Sequence, residues 1–317
     1  MITGVEIGSY RILGDVQAQL KPLTLIVGPN GCGKSTFLAA LEVAATVPAE
    51  FDDKMTFHVD FDGLDLPGSY EWIAGRGWLF HGSFDDSGID FKNFHAREQM
   101  PKTVLRLQFS MEALRSKSQG TDGCSKFQHQ GTNLSRIIAE YKLGDTAKLN
   151  LICERLREVV PAIKEIKVRL DQGWFHLAFD TNSATNVPVE HMSDGTVFAL
   201  GLLTALTFVG DASALVLIDD IDQGLHPLAQ KDLVGILRRI QESNPQLQIV
   251  ATTHSPYLVA CVQPEEVLCM NVGDDGLSRM APLTSHPDYQ RWKQDMNPGE
   301  FWSLFGDRWV AENKTAA

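Results

Sequence analysis

Leu20-Lys21-Pro22-Leu23-Thr24-Leu25-Ile26-Val27-Gly28-Pro29-Asn30-Gly31-Cys32-Gly33-Lys34-Ser35-Thr36 is the stretch on which the reading of the fold turns. Residues 20–27 are short, apolar and β-branched, and a glycine loop bounds them, which describes a buried strand. Residues 37–45, rich in Ala and Leu, read as a helix. Between the two, residues 28–35 fit the spacing G-x-x-x-x-G-K-[ST], in the strand-to-helix context that this pattern requires. The glycines let backbone N–H groups turn inward around phosphate oxygens, and the start of the helix adds partial positive charge. The pattern assigns Lys34 to the β- and γ-phosphates of a nucleotide, Ser35 to Mg2+ and Thr36 to the α-phosphate, with Asn30, Gly31 and Gly33 in the cradle. Cys32 occupies a variable position and is read as structural.

Upstream, residues 5–13 read as a first strand. Downstream, residues 49–100 are acidic, aromatic and glycine-rich, and read as short strands and loops. Residues 103–111 alternate apolar and polar side chains, as a strand does. Residues 134–160 carry apolar positions at helical spacing up to Pro161, which ends the run. Residues 166–170 and 174–179 read as a hairpin. From Phe198 the pattern alternates: helix to 209, strand 214–218, helix 227–241, strand 247–253, helix 256–261 and strand 266–271. Such alternation indicates a mostly parallel α/β sheet.

Three further segments carry chemistry. Leu215-Val216-Leu217-Ile218-Asp219-Asp220 is an apolar strand ending in acid. After a phosphate loop in the same chain, Asp219 reads as the Mg2+ partner and Asp220 as the carboxylate that orients or deprotonates an attacking water. Ser193-Asp194-Gly195-Thr196 opens a helix; it can cap that helix or donate hydrogen bonds to a phosphate. His254, in Thr252-Thr253-His254-Ser255-Pro256, ends a strand, a position from which ligands are reached in open α/β sheets.

As an ordered set, these segments resemble the ABC-type ATPase heads of the SMC, RecF and OLD group. GVEIGSYRIL followed by LTLIVGPNGCGKSTFLAALE resembles the first lobe, HMSDGTVFALGLLTAL the signature and its helix, IDDIDQGLHP the D-E-P-E-x-G-L-H-P block, and ATTHSPYLV the switch-histidine strand. Val160-Pro161 with the hairpin after it resembles the run-up to the signature. The resemblance implies an α/β P-loop NTPase head with a mostly parallel sheet, an antiparallel β lobe and an inserted helical lobe. It implies a head at residues 1–60 and 185–280, an inserted β/helical lobe at 61–184 and an aromatic helical tail at 281–317.

It also implies roles. Two heads sandwich two ATP molecules with Mg2+, so Ser193 and Gly195 would contact a γ-phosphate held by the partner protomer. His254 would sense that phosphate, and Asp222 would lie in the loop linking the two sites. The chain departs from the family where its glutamate is Asp220, one methylene shorter, which points to slow turnover or a long-lived ATP-bound switch. Ile221 and Asp222 replace the family's Pro and Glu. Gln99 and residues 83–86 are the candidates for the glutamine loop. Tyr10-Arg11 matches an aromatic-Arg position, with Tyr10 either stacking on adenine or packed in the strand.

The chain has 317 residues, a net charge of -12 and an ordinary 44% of hydrophobic residues, so most of it is expected to fold. The acidity excludes a general nucleic-acid coat. Residues 102–169 are the exception, with 13 basic and 7 acidic side chains, and leave open a nucleic-acid- or partner-binding lid. The five cysteines include no CxxC pair, which suggests a reducing, cytoplasmic setting without a zinc site. No segment reads as membrane-spanning. Phe301, Trp302, Phe305 and Trp309 recur at helical spacing in the tail, either docking on the head or offering a partner surface. No HxxxE or HNH pattern follows residue 280. The resemblance to small stand-alone heads of this group implies a dimerising, slowly hydrolysing ATPase that controls a separately encoded effector such as a nuclease or toxin in phage defence. A non-catalytic ATP-bound scaffold and a RecF-like repair ATPase are the alternatives.

Overall fold

The computed structural model describes residues 1–8, 10–46, 56–61, 68–73, 77–82, 101–119 and 126–312. The first half of the chain runs β1 (Ile2–Gly8), β2 (Val16–Gln19), β3 (Leu23–Val27), α1 (Lys34–Thr46), β4 (Thr56–Phe61), β5 (Gly68–Ile73), β6 (Gly77–Gly82), β7 (Thr103–Leu107), α2 (Met111–Arg115), β8 (Ser118–Gln119), α3 (Leu134–Gly144) and α4 (Thr146–Val159). There follow β9 (Ile163–Asp171), β10 (Trp174–Thr181), β11 (Val187–Pro188), α5 (Asp194–Val209), β12 (Ala214–Ile218), α6 (Pro227–Ser243), β13 (Leu247–Thr252), α7 (Pro256–Val259), β14 (Val267–Val272), β15 (Ser278–Pro282), α8 (Tyr289–Trp292), α9 (Pro298–Phe305) and α10 (Arg308–Glu312).

Two compact units share these elements. The first joins Met1–Val104, Ser213–Asp219 and Pro245–Ala317; the second joins Leu105–Ala212 and Asp220–Asn244. Their boundaries differ from the segments 1–60, 61–184, 185–280 and 281–317: the tail belongs to the first unit and the signature segment to the second.

A six-stranded sheet of order β15-β14-β3-β13-β12-β7 forms the frame of the first unit. The core strands β14, β3, β13 and β12 pair in parallel. β3, β12 and β13 are buried at every position, which is why they read as continuous apolar runs rather than alternations. β2-β1-β4-β5-β6 form an antiparallel sheet in the same unit. The second unit carries the β9–β10 hairpin and the helices α2 to α6. α5 is buried almost all round, as its unbroken apolar sequence requires. Its threonines satisfy their hydroxyls within the helix, Thr204 Oγ1 donating to Leu200 O and Thr207 Oγ1 to Leu203 O.

The mostly parallel sheet, the antiparallel lobe and the helical insertion expected from the sequence are present. Local differences have local causes. The strand expected over 20–27 begins only at Leu23, because Thr24 Oγ1 accepts from Lys21 N and forms a turn before β3. The strand expected over 103–111 stops at Leu107, because the Ser110 side chain accepts from Ala113 N and caps α2. β15 is an addition: it returns antiparallel on β14 after the turn at Gly273–Leu277. No described helix is long and apolar enough to cross a membrane.

One buried amide ties the two sheets of the first unit together. Gln248, 1% exposed on β13, accepts from Ile2 N at 3.0 Å and donates to Ile2 O at 2.6 Å. Gln248→Leu leaves both Ile2 backbone groups buried and unpaired. It is expected to cost about 2–4 kcal/mol, read as a lower urea midpoint with an unchanged slope.

Candidate nucleotide-binding site

Because β3, β13 and β12 run in parallel, their carboxyl ends share one edge of the sheet. The glycine loop follows β3, Thr253 and His254 follow β13, and Asp219 follows β12. Gly28, Gly31 and Gly33 have φ of 154°, 77° and 100°. A Cβ on Gly28 would lie 2.2 Å from Met270 O of the adjacent β14. The loop can therefore lie this close to β14 only with glycine at that position. A Cβ on Gly31 would meet nothing within 4 Å, so the crest of the loop is open. Ser278 Oγ donates to Cys32 O at 2.7 Å and braces the loop from β15.

Lys34 is 7% exposed, and its Nζ donates to Gly28 O and Pro29 O at 2.9 Å each. It is therefore folded along the loop it would share with a phosphate. Ser35 is exposed and Thr36 half-buried at the start of α1. Asp219 is 6% exposed, while Asp220 and His254 are exposed. A buried cation and an open glycine crest fit a nucleotide's phosphates, and an adjacent hydroxyl and a strand-end carboxylate fit Mg2+. Asp220 has φ of 51°, a left-handed conformation that Asp adopts more readily than Glu. That gives a backbone reason for the shorter acid. Burial raises the Cys32 thiol's pKa, against the pull of Lys34, which keeps it protonated and agrees with a structural role.

Ser193 and Gly195 lie in the second unit. Ser193 caps α5: its Oγ accepts from Thr196 N at 3.3 Å, while the residue itself is exposed. A Cβ on Gly195 would lie 2.3 Å from Gly224 O, so the signature and the loop carrying Asp220 and Asp222 touch backbone to backbone. That loop is closed by Gln223 N donating to Asp220 O and Leu225 N to Asp222 O. Tyr10 is 3% exposed in the core, beneath the Arg11 guanidinium, so the packed reading of this aromatic holds.

Gln99 and residues 83–86 lie outside the described residues. Gln108, immediately after β7, is a further glutamine that the alternating pattern of 103–111 masked. Its Oε1 lies 3.3 Å from His129 Nε2. The tail also contributes. Phe301 and Trp309 are buried and ring His286, with centroids 5.1 Å away in both cases. α9 packs so closely on α7, just after His254, that a Cβ on Gly299 would lie 2.0 Å from Pro256 O. Asp307, between α9 and α10, accepts from Asn271 Nδ2 at 3.2 Å at the carboxyl end of β14. No sequence pattern marks this residue.

Together these features define a P-loop nucleoside-triphosphatase head. A family profile described as "AAA ATPase domain" matches residues 1–172, more than half of the sequence, and the chain belongs to that family. A second AAA-domain profile, named for the AbiEii toxin of type IV toxin–antitoxin systems, matches residues 140–260. The chain is 23% identical over 291 residues to Septu protein PtuA of Bacillus thuringiensis, covering 80% of this chain and 71% of that protein. It is 24% identical over 314 residues to the OLD nuclease of Thermus scotoductus, covering 81% of this chain and 59% of that protein. The chain thus spans less than two thirds of the OLD nuclease. A 73-residue stretch, 23% of this chain and 13% of the relative, is 34% identical to the retron Vc95 probable ATPase of Vibrio cholerae. Among solved structures, the SMC head bound to the C-winged helix domain of ScpA matches with a TM-score of 0.57 at 16% identity, over 88% of this chain and 97% of that one. The SMC head domain from Thermotoga maritima matches with 0.53 at 12% identity, over 89% and 98%. The fold is that of an SMC head.

Asp307 gives a pH-dependent prediction. Burial raises its pKa, with the Trp302 indole, Lys34 and Arg308 opposing. A carboxyl raised in the folded state stabilises below its unfolded pKa and loses that contribution as pH rises through the folded value. Asp307→Asn keeps an acceptor for Asn271 and removes the charge. Its melting temperature is expected to exceed the native one at pH 8, with the gap shrinking toward pH 4 in thermal scans.

Proposed function

We propose that the chain is an Mg-ATP-dependent ATPase whose copies close head to head on two nucleotides, and that it controls a separately encoded effector in phage defence. The observation that carries this reading is the shared carboxyl edge that collects the glycine loop, Asp219 and His254. The names of the relatives, Septu PtuA, OLD nuclease and retron ATPases, support the pathway and an effector such as a nuclease or toxin. The setting is cytoplasmic.

Each residue has a task. Asn30, Gly31, Gly33, Lys34 and Thr36 hold the phosphates. Ser35 and Asp219 would hold Mg2+, which would supply positive charge against the triphosphate. Asp220 accepts a proton from the attacking water or orients it. His254 donates a hydrogen bond to the γ-phosphate from the end of β13. Ser193 and Gly195 present a hydroxyl and a backbone N–H to the nucleotide of the other copy. Turnover is slow, because the Asp220 carboxylate falls one methylene short of the family's glutamate.

A non-catalytic scaffold is the second reading, favoured by the same Asp220. A nucleic-acid-binding lid at 102–169 is weakened by the ion pairs there. Lys117 faces Asp171, Lys142 faces Glu165, Lys148 faces Asp145, and Lys167 meets Asp180 at 2.6 Å. Asp180 is held below the usual carboxylate range by the Lys167 contact.

Light scattering with and without Mg-ATP tests the assembly: the native mass is expected to double, and that of Lys34→Ala to stay constant. An unchanged native mass contradicts the proposal. Asp220→Asn suits the same left-handed backbone and is expected to bind Mg-ATP with single-turnover hydrolysis slowed by about 100-fold or more. Effector control that survives this loss favours the scaffold.

A further inference from the structure

The signature helix carries a charge conflict. α5 is the helix whose N-terminus would face a phosphate, yet its first residue is the acid Asp194. The free N–H groups of a helix start attract an anion, but a carboxylate in the same turn opposes a second one. The structure resolves this with Arg115. Its Nη2 donates to Asp194 Oδ1 at 2.6 Å and to Met192 O at 2.9 Å, on the two sides of Ser193. The Arg115 side chain is 20% exposed, and that of Asp194 60%.

Arg115 is held in place by its neighbours. Leu114, fully buried, wedges between two glycines: Cβ atoms on Gly131 and Gly201 would lie 2.4 Å and 2.7 Å from Leu114 Cδ2. Ser116 Oγ donates to Ala113 O at 2.6 Å, and Ser116 O accepts from Ser135 Oγ at 3.0 Å. The end of α2 is therefore fastened both to itself and to α3. α2 in turn starts three residues after Gln108.

We infer that Arg115 is a positioning residue of the signature: it cancels the charge of Asp194 and holds Met192–Asp194 in the form that receives a nucleotide's γ-phosphate from a second copy. This rests on the head-to-head reading above. Arg115 adds a link from the loop after β7 to the signature, through the short rigid helix α2.

The test is the dimer dissociation constant in Mg-ATP by sedimentation velocity, beside ATP binding to the monomer with a fluorescent analogue. Arg115→Ala and Arg115→Gln are expected to bind ATP as the native chain does and to weaken the dimer at least tenfold. The Gln variant keeps a donor for Met192 O but not the charge. Adding Asp194→Asn to Arg115→Gln removes the unpaired acid and is expected to restore most of the loss. Native-like dimers in both single variants would overturn the inference. A double variant as weak as Arg115→Gln would overturn the charge argument. A native chain that stays monomeric in Mg-ATP would instead overturn the head-to-head reading beneath it.

Discussion

The parallel pairing of β3 with β13 on one side and β14 on the other is the constraint on which the rest of the structure depends. Thr252 sits opposite Ile26 and Cys269 opposite Val27, so β3 and β13 end at one level while β14 runs on beside the glycine loop. An antiparallel partner at either place would send a loop to the far edge. The parallel arrangement is open to these strands because they are apolar on both faces and covered on both. It also sets the closeness of the glycine loop to β14, where Met270 O leaves no room for a side chain on Gly28. With β12 also parallel to β13, the arrangement accounts for the sheet's composition, the glycine requirement and the one edge shared by the glycine loop, Asp219 and His254.

The second unit follows a similar logic with backbone contacts. Gly195 reads from sequence as a residue freed for a phosphate, and in the structure it is also the place where the signature meets Gly224. Both demands fall on one glycine. The contact leaves no room for a side chain on Gly195 where the signature meets the Asp220–Leu225 loop. Ser193 Oγ accepts from Thr196 N and also lies 2.8 Å from Thr196 Oγ1, so its proton is available to a phosphate when the Thr196 hydroxyl is the donor of that pair.

Much of this was legible in the residues. The strand-loop-helix around Lys34, the strand ending in Asp219 and the strand before His254 each carry a local pattern with a physical cause, and the elements fall there. What escaped the sequence lies in contacts between distant segments. Gln248 is a polar residue in a buried strand, and only its pairing with Ile2 explains it. Asp307 and Arg115 have no local signature, because their partners Asn271 and Asp194 are supplied by tertiary packing. The end of β7 blurred because a cap at Ser110 interrupts an otherwise good alternation. The basic surplus of 102–169 was countable, but its ion pairs needed coordinates.

The central claim is that a working site takes its glycine loop from one copy and its signature from another. Subunit complementation tests this most directly. Lys34→Ala lacks a working glycine loop and keeps its signature, while Ser193→Arg keeps the loop and blocks the signature. Each alone is expected to hydrolyse no ATP. Their mixture should regain a fraction of native activity, from the one site that pairs an intact loop with an intact signature. A mixture as inactive as its components, or a Ser193→Arg chain active alone, would contradict the account.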